Sequence, residues 1–183
     1  MNIDIPFYFL RHGETDWNKD KIVQGQMDIQ LNETGRAQAI RAAEILRDEP
    51  LEHIVASPLS RARDTALAVA LRHDIEITYD EGLMECHLGI HQGELQGDWT
   101  PGYWAGEYHP EGGESFQQFC ERVHGAMQRA VALGPNTLIV AHGGLWLAAK
   151  AVVQIEPDMR RMPNAQPILI RPGNGIWHHT TLG

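Results

Sequence analysis

Pro6-Phe7-Tyr8-Phe9-Leu10-Arg11-His12-Gly13-Glu14-Thr15 opens the chain with an apolar run that stops at an arginine and a histidine. The same pattern returns near the other end, where Thr137-Leu138-Ile139-Val140-Ala141 runs into His142-Gly143-Gly144. Short apolar runs closed by polar and glycine signals read as strands buried on both faces, as in parallel sheets. Two imidazoles therefore stand where two strands end. Open α/β folds place their sites outside the carboxyl edge of the sheet, where strand ends distant in sequence converge. The two histidines are thus expected to form a catalytic pair.

Between these strands, helices and strands alternate. Asn32 caps a helix that runs to about Arg47, with Ala39, Ala42, Ala43 and Leu46 on its inner stripe and Pro50 closing it. His53-Ile54-Val55-Ala56 is a short buried strand. Ser57 and Pro58 read as the N-cap and first residue of a second helix, which turns Ala62, Thr65, Ala66, Val69 and Ala70 inward. Ile75, Ile77 and Tyr79 alternate with polar residues as a half-buried strand. Residues 82–114 break the regularity with glycines, prolines and Trp99, Tyr103, Trp104 and Tyr108, a composition that fits an ordered excursion able to cover a site. Ser115 to Gln118 resembles a capping box, and Phe116, Phe119, Val123, Met127 and Ala130 line the helix that follows up to Gly134-Pro135. A helix after Gly144, a loop near Pro157 to Pro163 and a strand around Pro167 to Ile170 complete the unit.

With 183 residues the chain has the size of one domain, and residues 1–183 are read as such. A formal charge of -9, from 24 acidic and 15 basic residues, argues against non-specific nucleic-acid binding and against an anionic membrane surface. Cys86 and Cys120 supply neither a disulfide framework nor a thiolate metal cluster. No secretory signal or membrane-length apolar stretch is visible. These features lead to the expectation of a cytoplasmic enzyme. Its oligomeric state is open, a homodimer included.

The chemistry follows from residue types. A neutral imidazole can attack phosphorus and form a phosphohistidine that water later cleaves, and its reference pKa of about 6.5 leaves neutral ring available at physiological pH. Arg11 and Arg61 are suited to clamp phosphoryl oxygens, because a guanidinium presents a fixed fork of donors. Arg61 falls in the first turn after Ser57-Pro58, where free helical N–H groups can face the same anion. Gly13 leaves room for phosphate to approach the backbone. Glu85 is the acid expected to protonate an alcohol leaving group, and His142 the group expected to stabilise or orient the transferring phosphoryl. Asn18, Gln24, Gly143 and His142 are further phosphate-side candidates, and Met27 flanks the entrance with Gln24.

With these residues in place, the chain resembles the histidine phosphatase superfamily, also called the phosphoglycerate mutase-like family. The hallmark is matched by Leu10-Arg11-His12-Gly13-Glu14-Thr15, which places the family's nucleophilic histidine at His12. Its second arginine falls on Arg61 within Ser57-Pro58-Leu59-Ser60-Arg61-Ala62-Arg63-Asp64-Thr65-Ala66, its acid/base glutamate on Glu85 and its second histidine on His142. Asn18 and residues 25–35 look like the family's phosphate-side loop and the start of the next helix. The resemblance implies a three-layer α/β/α sandwich with a mostly parallel central sheet. It also implies a phosphomonoester hydrolase of the small phosphatase type, acting on a small phosphorylated metabolite without a metal or other cofactor.

Other readings compete. Glu85-Cys86-His87-Leu88-Gly89 partly resembles a mutase motif, so a 2,3-bisphosphoglycerate-dependent phosphoglycerate mutase is the nearest alternative; Cys86 stands where that motif has an arginine, and the compact interval to His142 favours hydrolysis. A metal-dependent hydrolase could use His87, His91 and Glu85 as ligands. A non-catalytic protein could use the same arginines to hold a phosphorylated ligand. Trp99, Tyr103 and Trp104 either stack on substrate or pack the excursion onto the body. His178 and His179 read as surface residues of the tail.

Overall fold

The computed structural model describes residues 3–159 and 161–183. Its centre is a seven-stranded sheet in the order β3-β2-β4-β1-β6-β7-β5, formed by β1 (Phe7–Arg11), β2 (His53–Ala56), β3 (Ile77–Tyr79), β4 (Thr137–Ala141), β5 (Gln154–Glu156), β6 (Ile168–Gly173) and β7 (Ile176–Thr181). The first four strands of that order run parallel, whereas β6 is antiparallel to both β1 and β7. β5 then pairs parallel with β7.

Alternation along the strands separates two cores. Tyr8 and Leu10 of β1, with Leu138 and Val140 of β4, pack on α2 (Glu33–Ile45) and α3 (Ser60–His73) through Ala42, Ala43, Ala66 and Val69. Phe7, Phe9, Ile139 and Ala141 point the other way, towards α5 (Phe116–Val131) and α6 (Gly143–Lys150), where they meet Phe119, Val123, Leu145 and Trp146. Side-chain period two thus generates the three layers. Two short helices, α1 (Asp16–Lys19) and α4 (Trp99–Trp104), belong to loops above the carboxyl edge, α4 within the 82–114 excursion.

Local signals explain most boundaries. Asn32 caps α2 by accepting the Gly35 N–H at 2.7 Å, although the helix ends at Ile45, two residues before the expected Arg47. Ser115 and Gln118 make the reciprocal bonds of a capping box. The second helix is a correction: it begins at Ser60 with Leu59 as its N-cap, so Ser57 and Pro58 lie outside it. Ser57 has a different partner, described below. The β6–β7 hairpin extends well beyond the expected Pro167–Ile170 strand, turning at Asn174 and Gly175, both at positive φ, as a two-residue hairpin loop demands. His178 and His179 consequently belong to β7 rather than to an irregular tail; His178 is exposed as expected, while His179 is half-buried, with Nε2 2.8 Å from the Pro157 carbonyl and its ring edge-on to Trp146. Of the expected loop from Pro157 to Pro163, residue 160 lies outside the described residues.

Candidate active site

β1 and β4 are hydrogen-bonded neighbours with Arg11 opposite Ala141, and the His12 N–H donates to the Ala141 carbonyl at 2.9 Å. Each histidine is the first residue after its strand, so the shared register sets the two rings 5.1 Å apart, centroid to centroid. A cavity of about 550 Å³ opens at this edge, lined by Arg11, His12, Asn18, Gln24, Arg61, Glu85 and Gly143 among others. His142 is wholly buried beside His12 and is not part of that wall.

The ring of His12 is oriented by its own loop. Nδ1 lies 2.7 Å from the Gly13 carbonyl oxygen, and a carbonyl can only accept, so Nδ1 carries the proton and Nε2 the lone pair. Burial, followed by the Arg61 and Arg11 charges, holds the imidazole well below its ordinary pKa. His12 is therefore neutral at physiological pH with an open nucleophilic nitrogen. The pKa of His142 is lowered by burial first and then by Arg61. Its Nε2 is 2.8 Å from Ser57 Oγ, while Nδ1 has no hydrogen-bond partner.

Both guanidiniums are fixed by backbone carbonyls. Arg61 donates to Gly25 at 2.7 Å and to Met27 at 2.8 Å; Arg11 donates to Met162 at 2.7 Å. Each keeps a buried Nε–H without a partner. Burial lowers the Arg61 pKa to about 10, which leaves it charged at neutral pH, and Glu85 opposes the shift. The Glu85 carboxylate bridges two N–H groups, Cys86 at 3.0 Å and Gly144 at 3.1 Å, the latter in the first turn of α6. A Cβ on Gly144 would stand 2.1 Å from Glu85 Oε1, so only glycine admits the carboxylate here.

Several expectations change in detail. The space at Gly13 is taken by protein: an added Cβ would lie 2.4 Å from the Gly35 carbonyl oxygen, where the nucleophile loop crosses α2. The Ser60 N–H at the start of α3 is bonded to Asp28 Oδ1 at 2.7 Å, so this one of the first-turn donors is engaged within the protein. Asn18 closes a capping box with Thr15, and Thr15 Oγ1 also donates to Gln24 Oε1 at 3.0 Å; both amides line the cavity while holding the loop. Cys86 is buried, with its pKa pushed well up by burial, and supplies no charge to the cavity. His87 and His91 do not gather with Glu85. His91 instead contacts Glu94, Tyr108 and Trp99, and among the described residues no three His, Cys, Asp or Glu side chains converge as metal ligands.

Other residues had no readable signal. Asn164 donates to the His12 carbonyl at 2.9 Å, from 152 positions away. Arg122 of α5 donates to the carbonyls of Gly82, Met84 and Glu85 and pairs with Glu114, pinning the segment that carries Glu85. Thr65 Oγ1 accepts the Gly13 N–H at 3.0 Å and donates to the Arg61 carbonyl at 2.7 Å, joining the nucleophile loop to the helix of the second arginine.

Comparison with known proteins agrees with this geometry. Residues 7–179 match the model of the histidine phosphatase superfamily, branch 1. The chain is 36% identical over 188 residues to a glucosyl-3-phosphoglycerate phosphatase of Mycobacterium tuberculosis, covering 92% of this chain and 81% of that protein. It is 34% identical over 147 residues to a probable phosphoglycerate mutase of Salmonella choleraesuis, covering 74% and 68%. The solved structure of mycobacterial glucosyl-3-phosphoglycerate phosphatase with VO3 superposes with a TM-score of 0.82 at 30% identity, covering 97% of this chain and 98% of that one. With a family model matched over nearly its full length and the two histidines side by side at the sheet edge, this chain belongs to the histidine phosphatase superfamily.

Proposed function

We propose that the protein is a phosphomonoester hydrolase that works through a phosphohistidine on His12. The observation that carries the reading is the state of that ring: neutral, with Nδ1–H tied to Gly13 and the Nε2 lone pair left for the cavity that Arg11 and Arg61 also line. Nε2 attacks phosphorus as the P–O ester bond breaks, and the departing alkoxide takes a proton from Glu85. Water then attacks the phosphohistidine, giving its proton to the Glu85 carboxylate and releasing inorganic phosphate. Arg11 and Arg61 hold the phosphoryl oxygens as charge redistributes. In this reading the Ser57 hydroxyl donates to His142 Nε2, which leaves the imidazole proton on Nδ1 of the ring packed beside His12.

The substrate in this reading is a small phosphorylated metabolite of the class named by the phosphatase relative. Hydrolysis is preferred to phosphoryl return because the buried thiol of Cys86 offers no second cation to retain a bisphosphorylated intermediate. No metal takes part, residues 1–183 act as one domain, and the enzyme is cytoplasmic. Among the described residues no helix is long and apolar enough to cross a membrane.

A phosphomonoester panel assayed with the intact protein and with His12→Ala, scoring both inorganic phosphate and isomerised product, tests the reaction. Phosphate release that vanishes in the variant, with an adduct on His12 caught by rapid quench, supports the reading. Isomerisation that requires a bisphosphate primer points to the mutase, activity abolished by chelation and restored by metal removes the metal-free step, and tight phosphate-ester binding without turnover identifies a binding protein.

A further inference from the structure

The proposed chemistry needs the Arg61 guanidinium in one orientation, and that orientation depends on a single turn. Gly25 and Gln26 are the central residues of this turn, which the Met27 N–H closes on the Gln24 carbonyl at 3.0 Å, with Gly25 at φ 51°. The peptide that joins them is engaged at both ends. Its carbonyl, that of Gly25, accepts Arg61 Nη2 at 2.7 Å, and its N–H, that of Gln26, donates to the side-chain Oε1 of Gln92 at 2.8 Å. A trans peptide is planar, so its N–H and C=O point in opposite directions and turn together. A partner that holds the N–H therefore aims the carbonyl.

Gln92 comes from the 82–114 excursion and is not part of the cavity lining. Its carboxamide lies against Gly25, where an added Cβ would stand 2.1 Å from Oε1. The two segments are joined by other means as well: the Gly93 N–H donates to the Val23 carbonyl at 2.9 Å and the Val23 N–H to the Glu94 carbonyl at 2.8 Å. Gln26 Nε2 reaches the Glu85 carbonyl at 3.1 Å, which anchors that residue but not the plane of its peptide. Turn types can differ by rotation of the central peptide alone, and a glycine at the first central position offers little steric resistance to it. We infer that Gln92 is a positioning residue for Arg61, its carboxamide oxygen locking the Gly25–Gln26 peptide so that the Gly25 carbonyl faces the guanidinium. Without the lock Arg61 is left on the Met27 carbonyl alone, through Nη1, and its fork can pivot away from the phosphoryl oxygens. This rests on the phosphatase reading, in which Arg61 clamps phosphate, and adds to it a residue that acts from behind the clamp.

Binding of inorganic phosphate, which needs no turnover, is measured by calorimetry in the intact protein, Gln92→Leu, Gln92→Glu, Arg61→Ala and the double variant Gln92→Leu/Arg61→Ala. Gln92→Leu removes the acceptor at similar size and weakens phosphate binding about tenfold, with kcat/KM for a phosphomonoester falling in step. Gln92→Glu keeps an acceptor at the same atom and recovers most of the affinity. In the Arg61→Ala background Gln92→Leu costs nothing further, because the group it aims is gone. An equal loss with and without Arg61, or a Gln92→Glu no better than the leucine variant, makes residue 92 a packing residue of the loop and overturns the inference. A loss in Arg61→Ala that Gln92→Leu does not share removes the inference alone. If Arg61→Ala itself leaves phosphate binding unchanged, the clamp of the phosphatase reading fails and the inference falls with it.

Discussion

The floor and the outer wall of the cavity are built by different means. Floor groups sit at strand ends or on α3, and their positions are set by backbone: parallel register for His12 and His142, and carbonyl acceptors for Arg11 and Arg61. The outer wall, which includes Gln96, Gly97, Trp99, Thr100 and Trp104 of the 82–114 excursion, hangs on side-chain contacts, with His91 stacked on Trp99 and bonded to Glu94 and Tyr108. Backbone register tolerates almost no displacement of the reacting groups, as bond-making chemistry demands. A wall assembled from side chains can be rebuilt by substitution while the floor stays as it is. The division is not complete, because Glu85 belongs to the same 82–114 excursion as the wall and is held by Arg122 contacts to its segment and by the Gly144 N–H.

The contrast can be broken first at its centre. His12→Ala removes the proposed nucleophile, and phosphate release falls by about 10⁴-fold or more, read as kcat in a continuous phosphate assay; a residual rate within tenfold of the original moves the reaction elsewhere. Ser57→Ala tests whether His142 must be oriented: kcat drops about 10- to 100-fold with KM little changed, and Ser57→Thr recovers much of it. A matching loss in KM would show instead that the loop after β2 has moved.

Gly13→Ala probes the floor as structure. Its methyl must displace the Gly35 backbone rather than a flexible side chain, so the fold loses about 1–3 kcal/mol, seen as a lower denaturant midpoint at unchanged m. An unaltered midpoint would mean that the loop and α2 separate freely.

The gentlest probe is acid. His12 and His142 have folded-state pKa values well below the ordinary 6.5, so the unfolded chain takes up protons first as pH falls. Stability from the two buried neutral rings is complete above about pH 6.5, declines as pH drops below that value, and stops declining once the folded-state pKa is passed. Melting temperatures between pH 8 and 5 should fall accordingly, with a shallower slope in His142→Asn. An identical slope in that variant assigns the acid sensitivity to other groups.

The pairing of the two histidines was legible because strand period and strand ends are local features, and a parallel sheet turns equal strand ends into neighbours. Arg61 was legible as a first-turn residue for similar reasons. Ser57 was misread as an N-cap, since Ser-Pro is a strong local signal; its hydroxyl instead meets a ring 85 positions later, a contact no local pattern encodes. Arg122 and Asn164 were invisible on the same ground, each looking like an ordinary polar residue until folding brought it to a carbonyl across the site. The β6–β7 hairpin did carry a signal, Asn174-Gly175 between β-favouring Ile168-Leu169-Ile170 and Ile176-Trp177, but Pro172 in the first strand and His178-His179 in the second interrupt the pattern.

The two carbonyl-pinned guanidiniums also bear on how a catalytic cycle would end. They are oriented before any ester arrives, and freed inorganic phosphate shows them the same oxygens as the group just transferred. On the proposed chemistry, then, the arrangement that speeds bond cleavage also retards departure of the anion it produces. Turnover in a phosphate-rich medium is accordingly set by end-product occupancy as much as by attack on phosphorus.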